Sequence, residues 1–171
     1  MTGGFDVSIQ LDDAALDRAL SAAIKGGADM SRPMGEIAEE WLEHVHDRFE
    51  AERDPLGMPW AKRRDHGEEG AATHKLLQHK GNLLRAVVPE FGPDFATIGV
   101  LKTAGPARYA RIHNEGGTIV PKNGKALSFG GRFVAKVVMP KRQYIGFGDA
   151  ERRSVVDILG DFMRDLFGEP K

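Results

Sequence analysis

The stretch Ser31-Arg32-Pro33-Met34-Gly35-Glu36-Ile37-Ala38-Glu39-Glu40-Trp41-Leu42-Glu43-His44-Val45-His46-Asp47-Arg48-Phe49-Glu50 decides how this chain folds. Met34, Ile37, Trp41, Leu42, Val45 and Phe49 recur at three- and four-residue steps, so a helix over this stretch carries one apolar stripe. Its other side is acidic: Glu36, Glu39, Glu40, Glu43, Asp47 and Glu50. Ser31-Arg32-Pro33 suits a helix start. Asp54-Pro55-Leu56-Gly57 ends it as a turn, because Pro55 presets its own φ and disfavours helix at Asp54. A helix with one apolar face needs a surface to cover it, and the rest of the chain has to supply that surface.

Upstream, Phe5 to Leu11 alternates apolar and polar residues, the pattern of a strand with one buried side. Asp12 or Asp13 can cap a short helix carrying Leu16, Leu20, Ala23 and Ile24, which stops at Gly26-Gly27. Downstream, His74 to Lys80 suits one or two helical turns. Ala86–Val88, Phe95–Val100, Thr118–Val120, Ala126–Phe129 and Phe133–Met139 are short β-prone runs between Gly and Pro residues. Pro106–His113 reads as a short helix. Asp149–Phe167 reads as an amphipathic one, capped by Asp149, with Val155, Ile158, Leu159, Phe162, Met163 and Leu166 as its stripe.

The expectation is an α+β fold, a mostly antiparallel β-sheet with N-terminal and C-terminal amphipathic helices packed on one face. At 171 residues the chain makes one domain by the rule of about 150 residues per domain. Residues 62–73 and 121–132 are too polar or too glycine-rich for a core, and are expected to be exposed loops.

Composition excludes several functions. There is no cysteine, hence no disulfide, no thiolate zinc site and no cysteine nucleophile. A formal net charge of -1 argues against nucleic-acid binding by global attraction, though not against a local basic face. The first residues lack the basic and apolar segments of a signal peptide, and no apolar run approaches the ~18 residues that span a bilayer. A soluble chain, without membrane contact, is expected.

The segment Tyr109-Ala110-Arg111-Ile112-His113-Asn114-Glu115-Gly116-Gly117 gathers the residues that most resemble a reactive site. His113 and Glu115 form the H-x-E fragment of zinc deaminases, but that chemistry also takes thiolate ligands. A small metal-dependent hydrolase using His113 and Glu115 is therefore one alternative. The other reading makes Tyr109, His113, Gly116 and Gly117 a structural corner. His113 then sits at a helix C-terminus, where the dipole favours it, and the glycines allow the positive φ of a turn into the next strand. His44 and His46 point roughly 200° apart on a helix and do not chelate one ion together. No serine lies in a G-x-S-x-G context, and no phosphate-binding glycine loop is present. Basic residues cluster at Lys62-Arg63-Arg64, at Arg132 with Lys136, at Lys141-Arg142 and at Arg152-Arg153, so a nucleic-acid binding module is a further alternative. Leu56, Met58 and Trp60, just past the long helix, are candidates for a subunit interface.

Taken in order, these segments resemble the phage virion morphogenesis or tail completion family. Arg48-Phe49 followed by Asp54-Pro55-Leu56-Gly57-Met58-Pro59-Trp60 is similar to that family's R-F…P-x-G-x-x-W. Leu76-Leu77 with Gly81-Asn82-Leu83 is similar to its L…T-G-x-L. Tyr109–Gly117 resembles Y-A-x-I-H-x-x-G-G, and Pro140-Lys141-Arg142-Gln143-Tyr144-Ile145-Gly146 resembles P-x-R-x-F-L-G. Lys80, Ala86 and Gln143-Tyr144 depart from the usual Thr, Ser and Pro-Phe.

The resemblance spans about Ile37 to Leu166. It implies a structural protein without catalysis or cofactor, which completes or terminates a tail or joins it to the head-neck. It also implies a homo-oligomeric ring, a hexamer, around the DNA passage. The implied partners are other copies of the chain, the neck or connector and tail tube proteins, and DNA that passes without sequence reading. Arg63, Arg64, Lys136, Lys141 and Arg142 are then candidates for the DNA passage or for an interface. The implied location is the virion, reached from the host cytoplasm during assembly.

Overall fold

The computed structural model describes residues 5–8, 18, 21, 29–63, 75–122, 124–129 and 131–167. Of the expected helix at 12–26 only Arg18 and Ser21 are described, both helical; most of the 62–73 segment and Arg64 lie outside the described residues.

Strand β1 (Phe5–Ser8) comes first, then helix α1 (Ser31–Ala51), the single turn α2 (Asn82–Arg85), and strands β2 (Val87–Phe91) and β3 (Ala96–Leu101). These three strands make one sheet in the order β1-β3-β2, antiparallel throughout, with Val87 opposite Val100 and Phe91 opposite Ala96. The β2–β3 hairpin is closed by Gly92 N–H donating to the Phe95 carbonyl at 2.9 Å. Of the residues expected to form helical turns before Gly81, 75–80 make turns and bends instead.

Helix α1 lies on β2 and β3. Its stripe Met34, Ile37, Trp41, Val45 and Phe49 is buried and joins Val87, Ile98 and Val100 in one core. Burying side chains of this size contributes roughly 1.5–3 kcal/mol each. The acidic side of α1 faces water, as the sequence period requires. Helix α3 (Ala107–Glu115) packs beside β1 and β3, and helix α4 (Asp149–Phe167) packs on α1. Val155 and Leu159 carry α4 into the core. The molecule is α+β.

Between α3 and α4 lie four short strands: β4 (Gly117–Ile119), β5 (Leu127–Phe129), β6 (Arg132–Val134) and β7 (Val137–Met139). They form two antiparallel ribbons, β4 with β7 and β5 with β6, separate from the main sheet. The 121–132 segment, expected to be a loop, thus carries β5 and the start of β6. None of the described residues from Gly117 to Met139 with a defined exposure is buried. This part of the chain forms an arm outside the core.

Candidate functional site

Between the arm and α4, residues 141–148 have no regular secondary structure, yet Arg142, Tyr144, Ile145, Gly146 and Gly148 are buried. A buried strap without a ladder partner must find other partners for its backbone groups. Side chains from two of the other motif segments, and one backbone carbonyl, supply them. Asn114 Oδ1, near the end of α3, accepts the N–H groups of Tyr144 at 3.0 Å and Ile145 at 2.9 Å. Arg48, in the last turn of α1, donates to the carbonyls of Tyr144 at 3.3 Å and Gly146 at 3.1 Å. Trp60 Nε1 donates to the Gln143 carbonyl at 3.1 Å, and the N–H of Arg142 donates to the His113 carbonyl at 2.9 Å.

The aromatic rings fill the space around the strap. Phe49 meets Trp60 edge-on at 5.6 Å and Tyr144 at 5.2 Å. The Tyr144 hydroxyl, at a position where the family carries Phe, donates to the Ala110 carbonyl of α3 at 3.0 Å. The extra polar atom therefore has a partner.

Glu151, fully buried in the first turn of α4, closes the strap's far end. It pairs with Arg48 through Oε1 and accepts the Gly148 N–H at 2.8 Å through Oε2. The sequence points to Asp149 as the cap of α4. The structure instead gives the reciprocal bond to the residue three places into the helix, the second half of a capping box. His44 Nδ1 stands 3.2 Å from Glu151 Oε1 but off the line of a good hydrogen bond. Burial alone would raise the Glu151 pKa; His44, the Arg48 charge and the Gly148 N–H outweigh it and hold the carboxylate below its ordinary value. The contact with Glu151 raises His44 above the ordinary imidazole value, against the effect of burial.

The corner after α3 is tight. Gly116 has φ +72°, and a Cβ there would stand 2.7 Å from the Lys141 backbone nitrogen. Only glycine fits both the conformation and the approach. Gly117 follows at φ +144° and opens β4. Tyr109 packs edge-on against His113 at 5.8 Å. Burial, then the Arg142 charge, lowers the His113 pKa, so this imidazole stays neutral. Glu115 turns to solvent and pairs with Arg111 at 2.9 Å. His113 instead lines an open groove of about 330 Å3 with Leu76, Leu83, Tyr109, Arg63 and Arg142. Among the described residues, no three His, Cys, Asp or Glu side chains are grouped to hold a metal ion.

The remaining sequence candidates separate. Leu56 and Met58 are 78% and 63% exposed on a turn braced by Asp54 Oδ1, which accepts the N–H groups of both. Trp60, grouped with them as an interface residue, is instead inside this chain's own core at 5% exposure. Arg142, expected with the basic surface, is also buried; its guanidinium closes the carbonyls of Ala61 at 2.8 Å and Lys62 at 3.3 Å. Arg63, Lys136 and Lys141 are exposed. Asn114 and Glu151 are the residues that sequence reasoning missed. A usable signal was present for Glu151 in the Gly148-x-x-Glu151 spacing, but none distinguished Asn114 from a surface amide.

Over residues 11–164 the chain matches the model of the phage virion morphogenesis family. The chain belongs to that family. A relative from Escherichia phage Mu, which carries the provisional name capsid assembly protein G, is 26% identical over 165 residues, 90% of this chain and 92% of that one. No solved structure matches. In this virion morphogenesis protein two of the segments that carry the family resemblance, at Arg48–Trp60 and Tyr109–Gly117, meet a third, the buried strap. Arg48, Trp60 and Asn114 of these segments hold that strap in place. Among the described residues, no helix of this family member is long and apolar enough to cross a membrane.

Proposed function

We propose that this protein is a non-catalytic structural component that completes or terminates the phage tail, or joins it to the head-neck, as a homo-oligomeric ring around the DNA passage. The observation that carries the reading is how the polar residues of the motifs are used. Arg48, Asn114 and Arg142 are spent on backbone groups, and Arg48 also on Glu151, which lies beyond the last motif. His113 and Glu115, the pair a hydrolase would need, turn to different surroundings. What the fold leaves free is surface: an apolar turn at Leu56 and Met58, and an arm in which none of the described residues with a defined exposure is buried. The name of the Mu relative, a capsid assembly protein, agrees with a role in joining parts of a particle.

A closed ring takes a heterologous interface, in which two different patches of one subunit meet. Leu56 and Met58 supply one patch. Neck, connector and tail tube proteins contact the two ends of the ring, and DNA passes through it without sequence reading. Native mass spectrometry and negative-stain imaging of the purified full chain test the reading. A closed oligomer, a hexamer by resemblance, is expected. A monomer at every concentration would overturn it.

A further inference from the structure

The ring reading leaves open which surfaces meet, and the distribution of charge identifies a pair. From Gly116 to Gly148 the sequence contains no Asp or Glu, although acidic residues slightly outnumber basic ones over the whole chain. This stretch includes the arm. Ile119 pairs with Val137 in the β4–β7 ribbon. Lys122, three residues past Ile119, and Lys136, just before Val137, therefore stand at the same end of the ribbon, away from the Gly117–Met139 end at the corner. Lys125 follows in the same connection. All three are exposed, and none forms an ion pair among the described residues. The arm also exposes apolar side chains: Phe133 at 83%, Val120 at 59% and Val138 at 52%. A two-stranded ribbon is marginal in water by itself. This one is cationic, apolar and uncovered.

The complementary surface is on α1. Glu39, Glu43 and Asp47 recur every four residues, so they stand in one row about 12 Å long. All three are exposed, and none has a cation partner among the described residues. Like charges at this spacing repel by a few tenths of a kcal/mol per pair. Their neighbours Glu36 and Glu50 are paired, with Arg32 and Lys75. Within the chain, no ion pair among the described residues joins the arm to this row.

We infer that the arm of one subunit, through Lys122, Lys125 and Lys136, docks on the Glu39–Glu43–Asp47 row of α1 in a second copy of this chain. The inference rests on the ring reading and specifies its interface. Two different patches meet, so the contact repeats head to tail and can close. Phe133 and Val138 add apolar contact, and the charges select partner and register.

The test is charge reversal on the full chain, read by native mass spectrometry and light scattering. K122E/K125E/K136E and E39K/E43K/D47K change only exposed residues, and each, once dissociated, is expected to melt within a few degrees of the dissociated wild type. Each alone should raise the concentration at which the oligomer dissociates by at least about tenfold, since like charges then face each other. Mixed in equal amounts, the two variants should reassemble into alternating oligomers, and one chain carrying both reversals should assemble by itself. A wild-type oligomer unaffected by either reversal overturns this interface and leaves the ring reading standing. A wild-type monomer removes both. If the arm reversal abolishes retention on duplex DNA while the oligomer persists, the arm is a nucleic-acid surface and the inference is wrong.

Discussion

Replacing Arg48 with Met tests whether the buried strap is held as the geometry says. Arg48 is 7% exposed and Glu151 is fully buried. The substitution keeps a long apolar stem but removes the donors to the Tyr144 and Gly146 carbonyls, and it leaves the Glu151 carboxylate without its cation. Breaking a buried ion pair from one side costs about 3–5 kcal/mol. A domain has roughly 5–15 kcal/mol of stability in total. At roughly 2–4 °C per kcal/mol for a chain of this size, Tm should fall by about 6–20 °C.

Glu151→Met should cost a comparable amount, for the mirror-image reason. The double variant should cost less than the sum, because it leaves neither charge stranded. Urea and thermal unfolding of the four proteins at one fixed protomer concentration give the cycle; the concentration is held because assembly adds apparent stability. An Arg48→Met loss below about 1 kcal/mol, or a double variant additive within about 0.5 kcal/mol, would refute the reasoning.

The same cluster sets a pH dependence. The His44 pKa is raised in the folded protein, so its contribution is complete below the unfolded value near 6.5 and is lost as pH rises through the folded one. Glu151 has the opposite sign: its depressed pKa gives stability that is present above about 4.3 and lost as pH falls through the folded value. His44→Gln should therefore cost more stability near pH 5.5 than near pH 8.5; equal losses at the two pH values would count against the contact. Gly116→Val should lose at least about 3 kcal/mol to positive-φ strain and the clash with Lys141, read as soluble yield and Tm; an unchanged Tm would show that the corner relaxes. Asn114→Leu keeps the branching of the side chain but orphans two buried N–H groups at about 1–3 kcal/mol each. Hydrogen exchange at Tyr144 and Ile145 should quicken, and protection equal to the wild type's would remove Asn114 from its role.

Much of the fold is legible in the sequence because it follows from period. The stripe of α1, the limits of α4 and the β runs of the second half depend on side chains a few residues apart, and a linear pattern records such neighbours. The corner at Gly116-Gly117 is legible for a related reason, since positive φ is a local property that glycine advertises. The use of the motif polar residues is not local. Asn114 meets residues thirty positions away, and Arg48 meets a carboxylate more than a hundred positions away. Nothing in the wording of either segment says that an unladdered strap will pass between them. Trp60 shows the same limit. Next to Leu56 and Met58 in sequence, it reads as part of one apolar surface, but the turn at Asp54–Met58 sends the two aliphatic side chains outward and the indole inward.

By itself, then, the sequence determined the α+β class, the two long amphipathic helices and the order of motifs that identifies the phage virion morphogenesis family. These are matters of composition and short-range spacing. Only the tertiary structure decided that the Arg48–Trp60 and Tyr109–Gly117 motifs meet residues 141–148, that Trp60 and Arg142 belong to the interior, and that no ion pair among the described residues joins the basic arm to the acidic side of α1. The physical reason is that burial and charge neighbourhood depend on which distant segments meet. Backbone groups left without a ladder must be satisfied by whatever side chains the fold brings to them.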